Sequence, residues 1–367
     1  MKEKTFSLIF VALLGITGAY SQGISIDHRS TDLSKIPAEW IIAAKSKLHI
    51  AYGHTSHGSQ LTEGMKGLVS FTGGKGGPQF AWNKGGTSGA LDLHDYAMDG
   101  DCGYYPQWVN NTRTYLNNSA NAQVNVIIWS WCGQISTYTQ ADLITKYIDP
   151  MCQLEKDYPK VKFVYMTGHL NYASYAVTTA RNQQLRDFCS QNNKILFDFA
   201  DIESYDPDGV YYKYANDNCD YFNDLNSASL GNWAQKWQNS HTKGIEWYEC
   251  SSAHSQALNA NQKAYAAWNL WARLAGWNQI TSLPSSQEMV QFSIFPNPVS
   301  GQITISAANF NLTSIQIFNV AGVVVCSESV NTKVSDYKLD ISSLLKGLYL
   351  VRISDGENCM TEKIVIQ

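Results

Sequence analysis

Charge is scarce in this chain: only 16% of its 367 residues are Asp, Glu, Lys or Arg. The balance is 27 basic against 31 acidic residues, a net −4, with no basic run. A nucleic-acid partner is therefore excluded as the main function. No Cys-x-x-Cys pair occurs, which disfavours a zinc ribbon. The glycine-rich stretch Gly73-Gly74-Lys75-Gly76-Gly77-Pro78 lacks the spacing and the Lys-Ser/Thr ending of a phosphate loop, so a nucleotide cofactor is not expected. No internal repeat or long low-complexity tract is present, and beyond the N-terminus no apolar run approaches the length of a membrane span.

What is there is a 44% hydrophobic chain long enough for two domains. It holds 11 Trp and 21 Tyr, a mix suited to a secreted protein that handles neutral polar ligands such as sugars. Lys2 and Lys4 flank an apolar run from Phe6 to Ile16, followed by Ala19-Tyr20-Ser21. That pattern predicts a signal peptide over 1–21 and a mature start at Gln22, leaving no membrane span after cleavage. Of eight cysteines, six lie in the body and two in the tail; these even counts permit disulfides in an exported protein.

The body, 22–278, alternates apolar strands with helices. Strands are expected at Leu48–Gly53, Asn125–Trp131, Lys162–Thr167 and Ile195–Ala200. Helices are expected at Ser59–Phe71, Gln140–Lys156, Ala173–Asn192 and Asn259–Ala275. This predicts an α/β fold, a parallel sheet covered by helices on both faces. A linker falls at 279–291. From 292 to 367 short β-rich runs alternate with turn residues, which predicts a small all-β sandwich.

In such sheets ligands bind beyond the C-terminal strand ends, so the residues following each strand are the candidates. The first strand leads into Gly53-His54-Thr55-Ser56-His57-Gly58-Ser59. Ser56 at this turn is a candidate nucleophile beside a helix N-terminus; Ser56 or Ser59 could equally cap that helix. After later strands come Gln134, a candidate oxyanion donor, and His169, a cleft or structural histidine. His254, in the loop before the last helix, is a candidate general base. His54, His57, Asp92, His94, His169 and His254 could alternatively gather around a metal ion. Asp206-Pro207-Asp208-Gly209 with Asn216-Asp217-Asn218 is rich in calcium-type ligands but reads first as a turn. The block of tyrosines around it could stack on sugars or pack a loop.

The body, roughly 45–277, resembles the SGNH (GDSL-like) hydrolase superfamily, with a flavodoxin-like sheet. Tyr52-Gly53-His54-Thr55-Ser56-His57-Gly58 is similar to first blocks that read His-His-Ser-x-Gly. The resemblance implies Ser56 as nucleophile and His254 as its base. It implies a second-block glycine within Gly85-Gly86-Thr87-Ser88-Gly89, taken as Gly86, and Gln134 near the third block. His54, His57 and His169 are expected to line the oxyanion or substrate site, with no metal and no cofactor. Ser251 stands where the family has its orienting Asp, and Gly-x-Asn-Asp is missing; Asp92, Asp95 and Glu249 are the alternative acids. The implied activity is an esterase whose partner is a polysaccharide or other ester substrate. The alternative is a non-catalytic glycan-binding or surface protein on the same scaffold.

The tail carries Phe295-Pro296-Asn297-Pro298, Ile317-Phe318-Asn319-Val320-Ala321-Gly322, Leu339-Asp340-Ile341-Ser342-Ser343-Leu344, Lys346-Gly347-Leu348-Tyr349-Leu350-Val351-Arg352 and Lys363-Ile364-Val365-Ile366. It resembles the C-terminal sorting domain of the type IX secretion system of Bacteroidetes. That implies contact with the secretion machinery and a secreted or surface-attached product.

Overall fold

The computed structural model describes residues 23–278, 292–307, 312–319, 324–330, 336–354 and 359–367. The expected signal peptide at 1–21 and linker at 279–291 lie outside these residues. The chain divides into two compact units, one ending at Asn278 and one beginning at Gln279.

The first unit is built on seven strands: β1 (Ser25–Ile26), β2 (His49–Gly53), β3 (Trp82–Asn83), β4 (Leu91–His94), β5 (Val126–Trp129), β6 (Lys162–Met166) and β7 (Ile195–Phe197). All pair in parallel, in the order β1-β7-β6-β5-β2-β4-β3. The α/β class is as expected. The central strands are apolar on both faces because both faces are covered. Ile50 and Tyr52, Val126 and Ile128, and Val164 and Met166 enter one core. Their neighbours Ala51, Ile127, Trp129, Phe163 and Tyr165 enter the other. From β2 the chain runs outward to β3 and β4, then crosses back to β5, β6 and β7. The order reverses between β2 and β5, and such a reversal opens a crevice at the C-terminal strand ends.

Three strands fall outside the sequence expectation. β1 and β3 have two residues each, and β4 (Leu91-Asp92-Leu93-His94) carries two polar residues that interrupt its apolar character. The expected strand to Ala200 ends at Phe197, because Asp198 accepts from the Asp201 N–H and starts the helix Phe199–Ile202. The helix expected over 140–156 forms with a π-turn at Ile144–Ile148, one residue short of Pro150, which has no N–H to donate.

The last helix, Ala257–Leu274, is buried over most of its circumference and lies against Ser59–Ser70. Gly64 permits that approach: a Cβ there would stand 2.1 Å from the Ala260 carbonyl oxygen. Gly64→Ala is expected to cost about 1–3 kcal/mol through overpacking. Urea denaturation checks this, and an unchanged midpoint would refute it.

The disulfides that the cysteine count permitted do not form among the described residues. Cys102, Cys132, Cys152, Cys189, Cys219, Cys250 and Cys326 are all free thiols. Several serve as small buried groups, such as Cys102, which donates to the Ser130 carbonyl at 3.1 Å. No described helix is long and apolar enough to cross a membrane.

The second unit has two antiparallel sheets. One contains Phe292–Phe295, Gln302–Ala307 and Asp336–Asp340. The other contains Ser314–Asn319, Val324–Ser329, Gly347–Ser354 and Cys359–Ile366. Ile303 and Ile305 from the first sheet share a core with Ile315, Ile317, Val351 and Ile353 from the second, giving the expected all-β tail.

Candidate active site

Ser56 sits on the turn between β2 and the helix Ser59–Ser70, beside the switch point. Its Oγ lies 3.0 Å from Nε2 of His254. Neither serine caps the helix through its side chain: the N-cap is Gly58, and Ser59 Oγ donates to the Ser56 carbonyl at 2.7 Å. The turn is tightly wound. A Cβ on Gly58 would fall 2.2 Å from Ser130 Oγ and 2.4 Å from His54 Cβ. Tyr52 Oη, from within β2, donates to the Gly58 carbonyl at 3.0 Å.

His254 is exposed at its ring and takes a left-handed backbone conformation (φ 62°) just before the final helix. None of the candidate acids reaches it. Asp92 pairs with His49 at 2.7 Å, Asp95 with His54 at 2.7 Å, and Glu249 with Lys243 at 2.8 Å. Among the described residues no group hydrogen-bonds Nδ1 of His254.

His57 lies underneath. Its ring stacks on His169 at 3.8 Å and 2° and on His254 at 4.4 Å and 15°. Nε2 of His57 meets Asp217 Oδ2 at 3.1 Å, and Nδ1 meets Cys132 Sγ at 3.3 Å. Burial opposes its charged form, but Asp217 and Cys132 outweigh burial and raise its pKa to about 9. His169 moves the other way: burial, and then the charge of His57, push its pKa down.

A buried polar network joins the loops behind this site. Lys263 Nζ donates to Gln60 Oε1 at 2.6 Å and to Glu203 Oε2 at 2.8 Å. Gln60 Nε2 donates to the carbonyl of Ala253, the residue before His254, at 2.6 Å. Glu203 Oε1 accepts from the Leu170 N–H, and the Leu170 carbonyl takes the His169 Nδ1 proton at 2.7 Å.

The remaining expected residues divide. Gln134 is at the correct end of the sheet, but one amide N–H reaches Asp101 at 3.4 Å, where Thr55 also donates at 2.9 Å. His54 is buried with both nitrogens engaged, by Asp95 and by the Thr55 carbonyl, so it shapes the turn rather than meeting substrate. Gly86 is misplaced. It precedes β4 and packs on Asp92, which is level with His49 at the start of β2, whereas Ser56 follows the end of β2. Gly86 stands in the short turn from β3 into β4, at the level of Asp92 and His49, short of the edge where Ser56 sits. The loop that reaches that edge follows β4 and carries Gly100 and Gly103, the latter packed on Gln134.

The alternative histidine cluster assembles only in part. His57, His169 and Asp217 bring one potential ligand atom each within 4.8 Å. However, the His57 and His169 rings are parallel and stacked, so no single ion lies in both ring planes. The calcium-type segment is a turn: Asp206 accepts from the Asp208 and Val210 N–H groups and from Tyr212 Oη. Asp217 was legible only as part of that segment. The pairing of Cys132 with His57 had no signal in the sequence.

Fold and site together define an α/β protein with a Ser–His pair at the switch point of a parallel sheet. Residues 293–367 match the family described as a secretion system C-terminal sorting domain. The tail is that sorting domain, and the protein is secreted or attached to the cell surface. Across 101 residues the chain is 27% identical to an ulvan lyase of Nonlabens ulvanivorans, covering 27% of this chain and 17% of that protein. Among solved structures, a GDSL-like lipase from Bacteroides thetaiotaomicron VPI-5482 aligns with 54% of this chain and 90% of its own, at 10% identity and TM-score 0.31.

Proposed function

We propose that the protein is a secreted serine esterase acting on ester-substituted carbohydrate. The 3.0 Å contact between Ser56 Oγ and His254 Nε2 carries this reading. Ser56 attacks the ester carbonyl, and His254 accepts its proton and returns it to the leaving alcohol. The Ser59, Gln60 and Leu61 N–H groups already donate to turn carbonyls, so the backbone N–H of Ser56 is the oxyanion donor in this reading. Tyr96 and Tyr104 are each 57% exposed on the loop after β4 and Tyr105 is 45% exposed, offering flat faces to sugar rings at the site's end of the sheet.

Hydrolysis of p-nitrophenyl acetate by the whole protein tests the reaction. Ser56→Ala and His254→Ala are each expected to lower kcat/KM by about 10²–10⁴. Wild-type rates in both variants would end the proposal. A second reading, glycan binding without turnover, is favoured by one observation, the lack of a partner on His254 Nδ1 among the described residues. It predicts retention on acetylated polysaccharide with no release of acetate.

A further inference from the structure

We infer that Cys132, His57 and Asp217 form a second nucleophilic centre, a thiol–imidazole–carboxylate relay able to take an acyl group from an ester or thioester. The inference goes beyond the serine esterase reading and does not need Ser56 to be catalytic.

The geometry follows the order nucleophile, base, acid. Cys132 Sγ is 3.3 Å from one nitrogen of His57, and Asp217 Oδ2 is 3.1 Å from the other. The His57 ring is held between two imidazoles and cannot easily turn away. The Ser56–His254 pair, by contrast, has no carboxylate behind it among the described residues.

The groups facing His57 are Asp217, His169, His254 and Glu203, the last already paired with Lys263. The hydrogen bond from His57 lowers the Cys132 thiol pKa against the effect of burial. Burial pushes Cys102, Cys189, Cys219 and Cys250 upward instead.

A separate observation points to a ligand beside the relay. His169 is 6% exposed, and its Nδ1 proton goes to the Leu170 carbonyl. Nε2 therefore presents a buried lone pair, and it has no hydrogen-bond partner among the described residues. A water or substrate hydroxyl donating to it would complete the site.

In the first step the thiolate attacks the acyl carbon and the bond to the leaving oxygen or sulfur breaks. The leaving group takes the proton of the His57 imidazolium, and a thioester forms on Cys132. Neutral His57 then removes a proton from water, which attacks that thioester. The acid departs, and the thiolate–imidazolium pair is restored.

The test uses Ser56→Ala protein, so the result is separable from the fate of the serine proposal. Iodoacetamide labelling is followed from pH 5.5 to 9.5 with peptide mapping, and the protein is also exposed to p-nitrophenyl acetate. Expected are labelling of Cys132 at a rate that levels off well below pH 8, and an acetyl group recovered on Cys132. His57→Gln is expected to return the profile to an ordinary thiol near about 8.5 and to slow labelling at pH 7 by about tenfold or more. A profile in the Ser56→Ala protein that itself climbs through about 8.5 overturns the inference. So does p-nitrophenyl acetate treatment that leaves no acetyl group on Cys132 and shows no turnover that Cys132→Ser removes.

Discussion

Lys263→Met is expected to destabilise the protein by about 3–5 kcal/mol, because it leaves a buried carboxylate without its counter-charge. Lys263 and Glu203 both have fully buried side chains, 2.8 Å apart. The methylene stem of lysine is roughly matched by methionine, so the loss is electrostatic rather than a cavity. Glu203 keeps the Leu170 N–H but loses the ammonium, and Gln60 loses the donor on its Oε1. Adding Glu203→Gln removes the stranded charge while keeping an acceptor for Leu170. The double variant is therefore expected to recover at least about half of the single variant's loss. Urea denaturation of wild type and both variants measures this. A loss below about 1 kcal/mol for Lys263→Met would show that the pair contributes little.

The same change is expected to reach the site. Gln60 fixes the Ala253 carbonyl, one residue before His254, and Glu203 fixes Leu170, whose carbonyl sets the tautomer of His169. One ammonium group thus sets the position of two histidine loops from the last helix. Such a network specifies geometry more than it adds stability.

The sequence exposed this arrangement unevenly, for physical reasons. Val126-Ile127-Ile128-Trp129 announced a central strand because both faces are buried, so polarity never alternates. β4 hid because Asp92 and His94 pair with groups that no sequence pattern shows, His49 and Tyr115. Missing β4 misplaced the oxyanion glycine. With that strand unseen, Gly86 could be set at the C-terminal edge, when it stands in the short turn from β3 into β4, level with the start of β2. Ser56 and His254 were legible because each sits where a chain reversal delivers it to the C-terminal edge. Asp217 was not, since it arrives from a long excursion between β7 and the last helix, and spacing says nothing about where such a segment returns. The relation of Cys132 to His57 spans two strand-end loops 75 residues apart and belongs to the sheet order, not to any local motif.

Ser251→Asp is expected to raise kcat on p-nitrophenyl acetate by about 10²-fold, against a ceiling of roughly 10⁴ set by the loss that follows when a comparable triad gives up its acid. Position 251 is three residues before His254, in the place the resemblance assigns to the orienting carboxylate, and Ser251 is exposed. Without an acid, Nδ1 of His254 has no protein partner among the described residues, and the imidazolium formed in the attack is stabilised only by solvent. A carboxylate there would accept the Nδ1 proton, fix the tautomer that leaves Nε2 free for Ser56, and offset the developing charge. The gain should vanish when Ser251→Asp is combined with Ser56→Ala or with His254→Ala, because it acts only through the contact between those two side chains. Cys132 is held by a different imidazole and should label with iodoacetamide as before. No gain in Ser251→Asp would mean that proton transfer to His254 does not limit the rate, and the role of Ser56 as nucleophile would then have to be given up or shown by trapping its acyl ester.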